Sequence, residues 1–209
     1  MNRTVSMMVI TTLLTTIAPP ATAGAFDVAL SPPASTALNL GTVIYPGDHA
    51  PGLSPLNEST MPVSTASGGI LGGMAYDDVT NMLSFDVGYG SAFGFSDLQS
   101  DWSSGGVHFH GNGTNTAHFP AANTNAGVTI SLAAFHTPSG TRSGRIMGSV
   151  ALTATQETWL LNNQMYLNVH SQQLPGGEIR GQLVPIVPEP SCVLLALIGS
   201  AGLLVRRRK

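Results

Sequence analysis

Tyr166-Leu167-Asn168-Val169-His170 and, after a seven-residue connection, Glu178-Ile179-Arg180-Gly181-Gln182-Leu183 are the stretches on which the fold turns. Side chains alternate faces along a strand. Leu167 and Val169 therefore share one face, opposite Tyr166, Asn168 and His170. In the second stretch Ile179 and Leu183 are apolar, while Glu178, Arg180 and Gln182 point the other way. Pro175-Gly176-Gly177 supplies a turn, because Pro sets one φ and Gly accepts positive φ. Paired as an antiparallel hairpin, His170 lies opposite Glu178, Asn168 opposite Arg180 and Tyr166 opposite Gln182. Both apolar sets then coincide, and a one-residue slip would move Ile179 and Leu183 onto the polar face. The expected result is a core of Leu167, Val169, Ile179 and Leu183 beside a polar network of Asn168, His170, Glu178 and Arg180. A partly buried Glu178 would favour protonated His170 and raise its pKa.

Outward from this hairpin, Gly, Pro, Asn and Asp punctuate short apolar runs with no repeat of fixed period. Strands are expected at 26–30, 38–45, 69–76, 82–89, 106–110, 127–133, 144–152, 165–170 and 178–184. Asp77 to Asn81 forms a hairpin turn. Thr153 and Gln156 have the spacing of a capping box, which predicts one short helix over 154–162. Residues 46–62 and 110–125 read as long polar loops. Many short strands with one helix predict an all-β fold, an antiparallel Greek-key-like sandwich or barrel.

Composition suits that class. Charged residues make up 9% of the 209, against roughly 25% in an average domain. Between residues 27 and 186 there are ten acids, three arginines and no lysine, a net charge of −7. Such a body has no electrostatic footprint for nucleic acid. The single cysteine, Cys192, lies near the C-terminus, so the body has no disulfide. A body of about 160 residues buries enough surface without one. There is no Gly-x-Ser-x-Gly elbow, phosphate loop or His-Glu-x-x-His helix, so no catalytic residues are assigned and the protein reads as non-enzymatic.

Val107-His108-Phe109-His110-Gly111 places His108 and His110 on one strand face. With His170 they could supply three imidazoles for zinc or copper, with Glu178 orienting a ligand. The competing reading is a hydrogen-bonded cross-strand network that holds the register. Arg180 weighs for the second, since a guanidinium repels a dication. Convergence of the three imidazoles to within about 4 Å would favour the metal. His49, His118 and His136 read as solvated loop residues. Trp102, in a Ser/Gly segment, is the one platform suited to sugar stacking.

The ends read as addresses. Arg3, an apolar stretch over 5–17 and Ala21-Thr22-Ala23 make residues 1–23 a secretory signal peptide. The C-terminal segment 187–209 contains Pro188-Glu189-Pro190, an apolar run over 192–205, and Arg206-Arg207-Arg208-Lys209. The apolar run is shorter than the ~20 residues of a comfortable span, and its basic end should stay cytoplasmic. That order resembles the PEP-CTERM sorting tail of Gram-negative bacteria. The resemblance implies an exosortase-type peptidase as partner and transient contact with the inner membrane. It also implies delivery to the cell surface or extracellular matrix. The terminal hairpin and the His-x-His strand together resemble the CHRD domain, over about 106–184 strongly and over 26–89 more weakly. The expected organisation is a signal peptide, a CHRD-like β domain over 24–186 and a sorting tail. The expected role is structural or adhesive. The alternatives are a metal-binding module or oxidoreductase using His108, His110 and His170, and a polysaccharide-binding module.

Overall fold

All strand pairings in the structure, a computed structural model that describes residues 24–30, 51–60, 62–112 and 125–186, are antiparallel. The strand expected at 38–45, the leader, the tail, His49 and His118 lie outside the described residues. The strands are β1 (Ala25–Leu30), β2 (Gly68–Asp77), β3 (Met82–Tyr89), β4 (Trp102–Gly111), β5 (Val128–Ser131), β6 (His136–Pro138), β7 (Gly144–Ala151), β8 (Met165–Ser171) and β9 (Ile179–Ile186). The helix α1 (Ala154–Leu161) precedes β8. The strands form one sheet in the order β5-β4-β8-β9-β1-β2-β3-β7-β6.

The sheet curls into a half-barrel. Phe85 of β3 meets Phe109 of β4 edge-on, with ring centroids 5.3 Å apart, although four strands separate them in the sheet. Backbone bonds Leu98 N to Arg142 O (3.1 Å) and Trp102 N to Thr141 O (2.8 Å) tie the approach to β4 to the β6–β7 turn. The concave side is filled by Leu83, Phe85, Val87, Val107, Phe109, Ile146, Leu167, Val169, Ile179 and Leu183, each at most 3% exposed.

Local chemistry accounts for the elements. The β2–β3 turn is held by Asp77 Oδ1, which accepts from the N–H groups of Val79 (2.9 Å) and Thr80 (3.1 Å). Asn81 takes the left-handed conformation there, φ 57°, which Asn tolerates better than most residues. At the start of α1 the Thr153 hydroxyl accepts from Gln156 N, and Gln156 Oε1 accepts from Thr153 N. This is the capping box expected from the sequence. Thr153→Ala should lower stability by about 1 kcal/mol, read from the urea midpoint.

The β8–β9 register pairs Tyr166 with Gln182, Asn168 with Arg180 and Val169 with Ile179. It is the register that the alternation requires. The polar face, however, is not a surface. Asn168 and Arg180 are 2% exposed, Gln182 is 4% and Glu178 is 0%. The segment 51–60 closes over them. Ser54 pairs with Arg180 beyond the end of β1, through N–H···O bonds of 3.1 Å in both directions, and Asn57 Nδ2 donates to Arg180 O at 2.8 Å.

His136 is also placed differently from expectation. It opens the edge strand β6, half-buried, rather than lying solvated in a loop. Its Nε2 lies 2.8 Å from Tyr89 Oη, and Trp102 packs edge-on against its ring at 4.7 Å. Trp102 itself begins β4 and is partly buried against the core. Among the described residues, no helix is long and apolar enough to cross a membrane.

Candidate metal centre

Strand β8 lies between β4 and β9, and its pairings set the polar side chains in rows. His108 pairs with Asn168, which pairs with Arg180; His110 pairs with Tyr166, which pairs with Gln182. His170 stands two residues beyond Asn168, on the same face. The three imidazoles therefore meet at the β4–β8 junction. Ring centroids are 5.6 Å apart for His108 and His110, 5.2 Å for His108 and His170, and 5.8 Å for His110 and His170. One ring nitrogen from each lies within 4.8 Å of the others. A tetrahedral zinc site with Zn–N bonds of 2.0–2.1 Å needs ligand nitrogens about 3.4 Å apart. The cluster is thus wider than a filled site and wider than the 4 Å expected of a metal centre.

Two of the rings have their tautomer set by the backbone. His110 Nδ1 is 2.9 Å from Ala126 O, and His170 Nδ1 is 2.8 Å from Pro175 O. A carbonyl only accepts, so both Nδ1 atoms carry hydrogen. In the neutral rings each Nε2 then holds a lone pair. Both Nε2 atoms are buried and have no hydrogen-bond partner. Burial pushes the His110 pKa down to about 4, with smaller downward contributions from His170, His108 and Arg180. Burial also lowers His170.

This corrects the expected effect of Glu178 on His170. The Glu178 carboxylate turns away: Oε1 accepts from Ser64 Oγ and Gln99 N, each at 2.6 Å. It ties two loops to the start of β9, while His170 lies against the chain at Pro175. Asn168 and Arg180 keep their cross-strand register, while Glu178 lies just before β9, and the contacts of Glu178 and His170 run to partners outside the four. Asn168 hydrogen-bonds the carboxyl of Glu58.

Arg180 sits with its Cζ 3.4 Å from the centroid of the Tyr166 ring. His110 stacks on the same ring at 4.8 Å, with the planes 7° apart. The Tyr166 ring thus takes contacts from both flanking strands, His110 from β4 and Arg180 from β9. The Tyr166 hydroxyl accepts from Ala126 N at 3.1 Å, so one backbone segment positions both His110 and Tyr166.

Glu58 was not foreseen from the sequence. It is 2% exposed. Burial raises its pKa to about 7, against the opposing pull of Arg180, Asn168 and the Ser59 N–H. An isolated acid in a Pro-rich loop carries no periodic signal. In the structure Gly177 has φ 125°, and a Cβ there would collide with Glu58 and Asn168. The Pro-Gly-Gly turn therefore needs glycine partly to admit Glu58.

The sorting residues Pro188, Glu189, Pro190, Arg206, Arg207 and Arg208 lie outside the described residues. Neither the curated proteins nor the solved structures contain a match to this chain. The family model described as the CHRD domain matches residues 52–183, which hold the buried hairpin and all three clustered histidines. That span is more than half of the sequence, and the chain belongs to the CHRD domain family.

Proposed function

We propose that this protein is exported, sorted through its C-terminal tail, and retained at the cell surface or in the extracellular matrix as a structural or adhesive module. Family membership supports the coarse part, because CHRD domains are in general extracellular binding or structural modules. The observation that carries the finer part is the junction at the end of the domain. Strand β9 covers Ile179–Ile186 among the described residues, and Pro188-Glu189-Pro190 follows in the sequence. Cutting after Pro188-Glu189-Pro190 would leave residues 179–186 of β9 in the domain. An exosortase-type peptidase is the partner that the tail calls for, with transient inner-membrane contact before processing. The lysine-free, acidic body does not invite nucleic acid. Neutral extracellular polysaccharide is the matrix component it could bind without a charge penalty.

Intact-mass measurement of the cell-surface form tests this. The expected mass lacks the leader and the Arg206–Lys209 cluster. Recovery of the full 209-residue chain from the medium would overturn it.

A further inference from the structure

We propose that His108, His110 and His170 bind one first-row transition-metal dication, with copper(II) held more tightly than zinc(II). Three features support a ligand here. First, three imidazoles from two adjacent strands converge with ligand nitrogens within 4.8 Å. Second, His110 and His170 each give Nδ1–H to a backbone carbonyl. That is the outer-shell arrangement which orients a ligating histidine and leaves Nε2 for the metal. Third, both Nε2 atoms are buried without a partner. A buried acceptor with nothing to bind costs folding free energy, and native structures rarely leave two side by side without a role.

Chemistry narrows the occupant. An all-imidazole set without thiolate suits zinc, copper or nickel rather than calcium or magnesium. For a given nitrogen site, copper(II) exceeds zinc(II) in affinity. The rings need to close by on the order of 1 Å to reach bonding separation, a change that side-chain rotation can supply. Arg180 is the argument against a dication. Its guanidinium is engaged by the Tyr166 ring, 3.4 Å from the centroid, and the Glu58 carboxyl offsets its field as it ionises near and above pH 7. Three protein ligands leave a coordination position for water or an exogenous donor.

The test uses the full chain, stripped with chelator and titrated by calorimetry with copper(II) and, separately, zinc(II). The expected result is one equivalent of each, with copper at least tenfold tighter. Cu(II) electron paramagnetic resonance should show hyperfine splitting from three nitrogens. His170→Gln and His108→Gln should each weaken binding by at least 100-fold. His110 is buried and its replacement could unfold the protein, so the less buried His170 is the primary variant. Its unliganded melting temperature should match that of stripped wild type. Absence of saturable binding by either metal overturns the proposal. So does binding that survives unchanged in both variants, or a resonance spectrum dominated by oxygen donors. Zinc binding as tightly as copper overturns the order. None of these results touches the export and sorting reading.

Discussion

Glu178→Ala should cost about 2–4 kcal/mol, from two donors that lose their acceptor and the cavity left behind. Glu178 is fully buried and precedes β9. Its Oε1 is the acceptor for both Ser64 Oγ and Gln99 N. Alanine would leave both donors without that acceptor and open a cavity under the Pro-Gly-Gly turn. Ser64 is half-buried and Gln99 exposed, so water takes up part of that loss and each bond counts for about 1 kcal/mol. Glu178→Gln keeps an oxygen in the same place and should recover more than half of the loss. Urea unfolding of the two variants beside wild type measures the difference. A loss below about 1 kcal/mol for Glu178→Ala would mean that the two loops do not depend on this carboxylate.

The second large effect is a pair of opposing pH dependences that nearly cancel in the wild type. His110 has its pKa lowered from 6.5 to about 4 by burial. Between those values the unfolded chain binds a proton that the folded chain does not, so stability falls as pH drops from 6.5 to 4, by about 3 kcal/mol. His170 and His136 are lowered by burial too and act in the same direction. Glu58 does the reverse. Its pKa rises from 4.5 to about 7, so the folded state holds a proton that the unfolded chain has lost. Its contribution is fully present below pH 4.5 and disappears as pH climbs to 7, again by about 3 kcal/mol. The sum leaves the extra histidines to set the slope, with maximum stability near pH 6.5. Asp86 and Asp97, whose pKa values are lowered by Arg145 and by Ser143 respectively, add their loss only at lower pH.

Glu58→Gln should expose the histidine limb. In chelator, its urea midpoint should fall more steeply than wild type between pH 6.5 and 4.5. Above pH 6.5 it should no longer decline. Parallel profiles for the two proteins would show that Glu58 does not carry the alkaline limb. Added metal should steepen the acid limb further, because binding requires neutral imidazole.

Several features of this protein depend only on neighbours along the chain. Period-two alternation in 166–170 and 178–183 specifies which faces meet in the β8–β9 pair, because a one-residue slip exchanges Ile179 and Leu183 with polar residues. Thr153 and Gln156 define the start of α1, and Asp77 to Asn81 define the first turn, through bonds spanning two or three residues. The His108 and His110 face was legible for the same reason. What meets each face depends instead on contacts between distant segments. Alternation distinguishes two faces of β9 but does not say that both are buried. That follows from Ser54 and Asn57 docking on Arg180 across more than a hundred residues. The same docking brings Glu58 to Asn168 and turns a loop acid into a buried titratable group. It was equally outside the reach of pattern that Ser64 and Gln99 would take the Glu178 carboxylate and leave His170 to a backbone carbonyl. His136 lies in an edge strand that the sequence does not reveal, because β6 is only three residues long, too short to show a period. The closing of the sheet into a half-barrel rests on contacts such as Phe85 with Phe109, made between strands that are not neighbours in the sheet. Periodicity records which side chains share a face, whereas curvature and loop docking depend on packing between distant segments, which leaves no periodic mark.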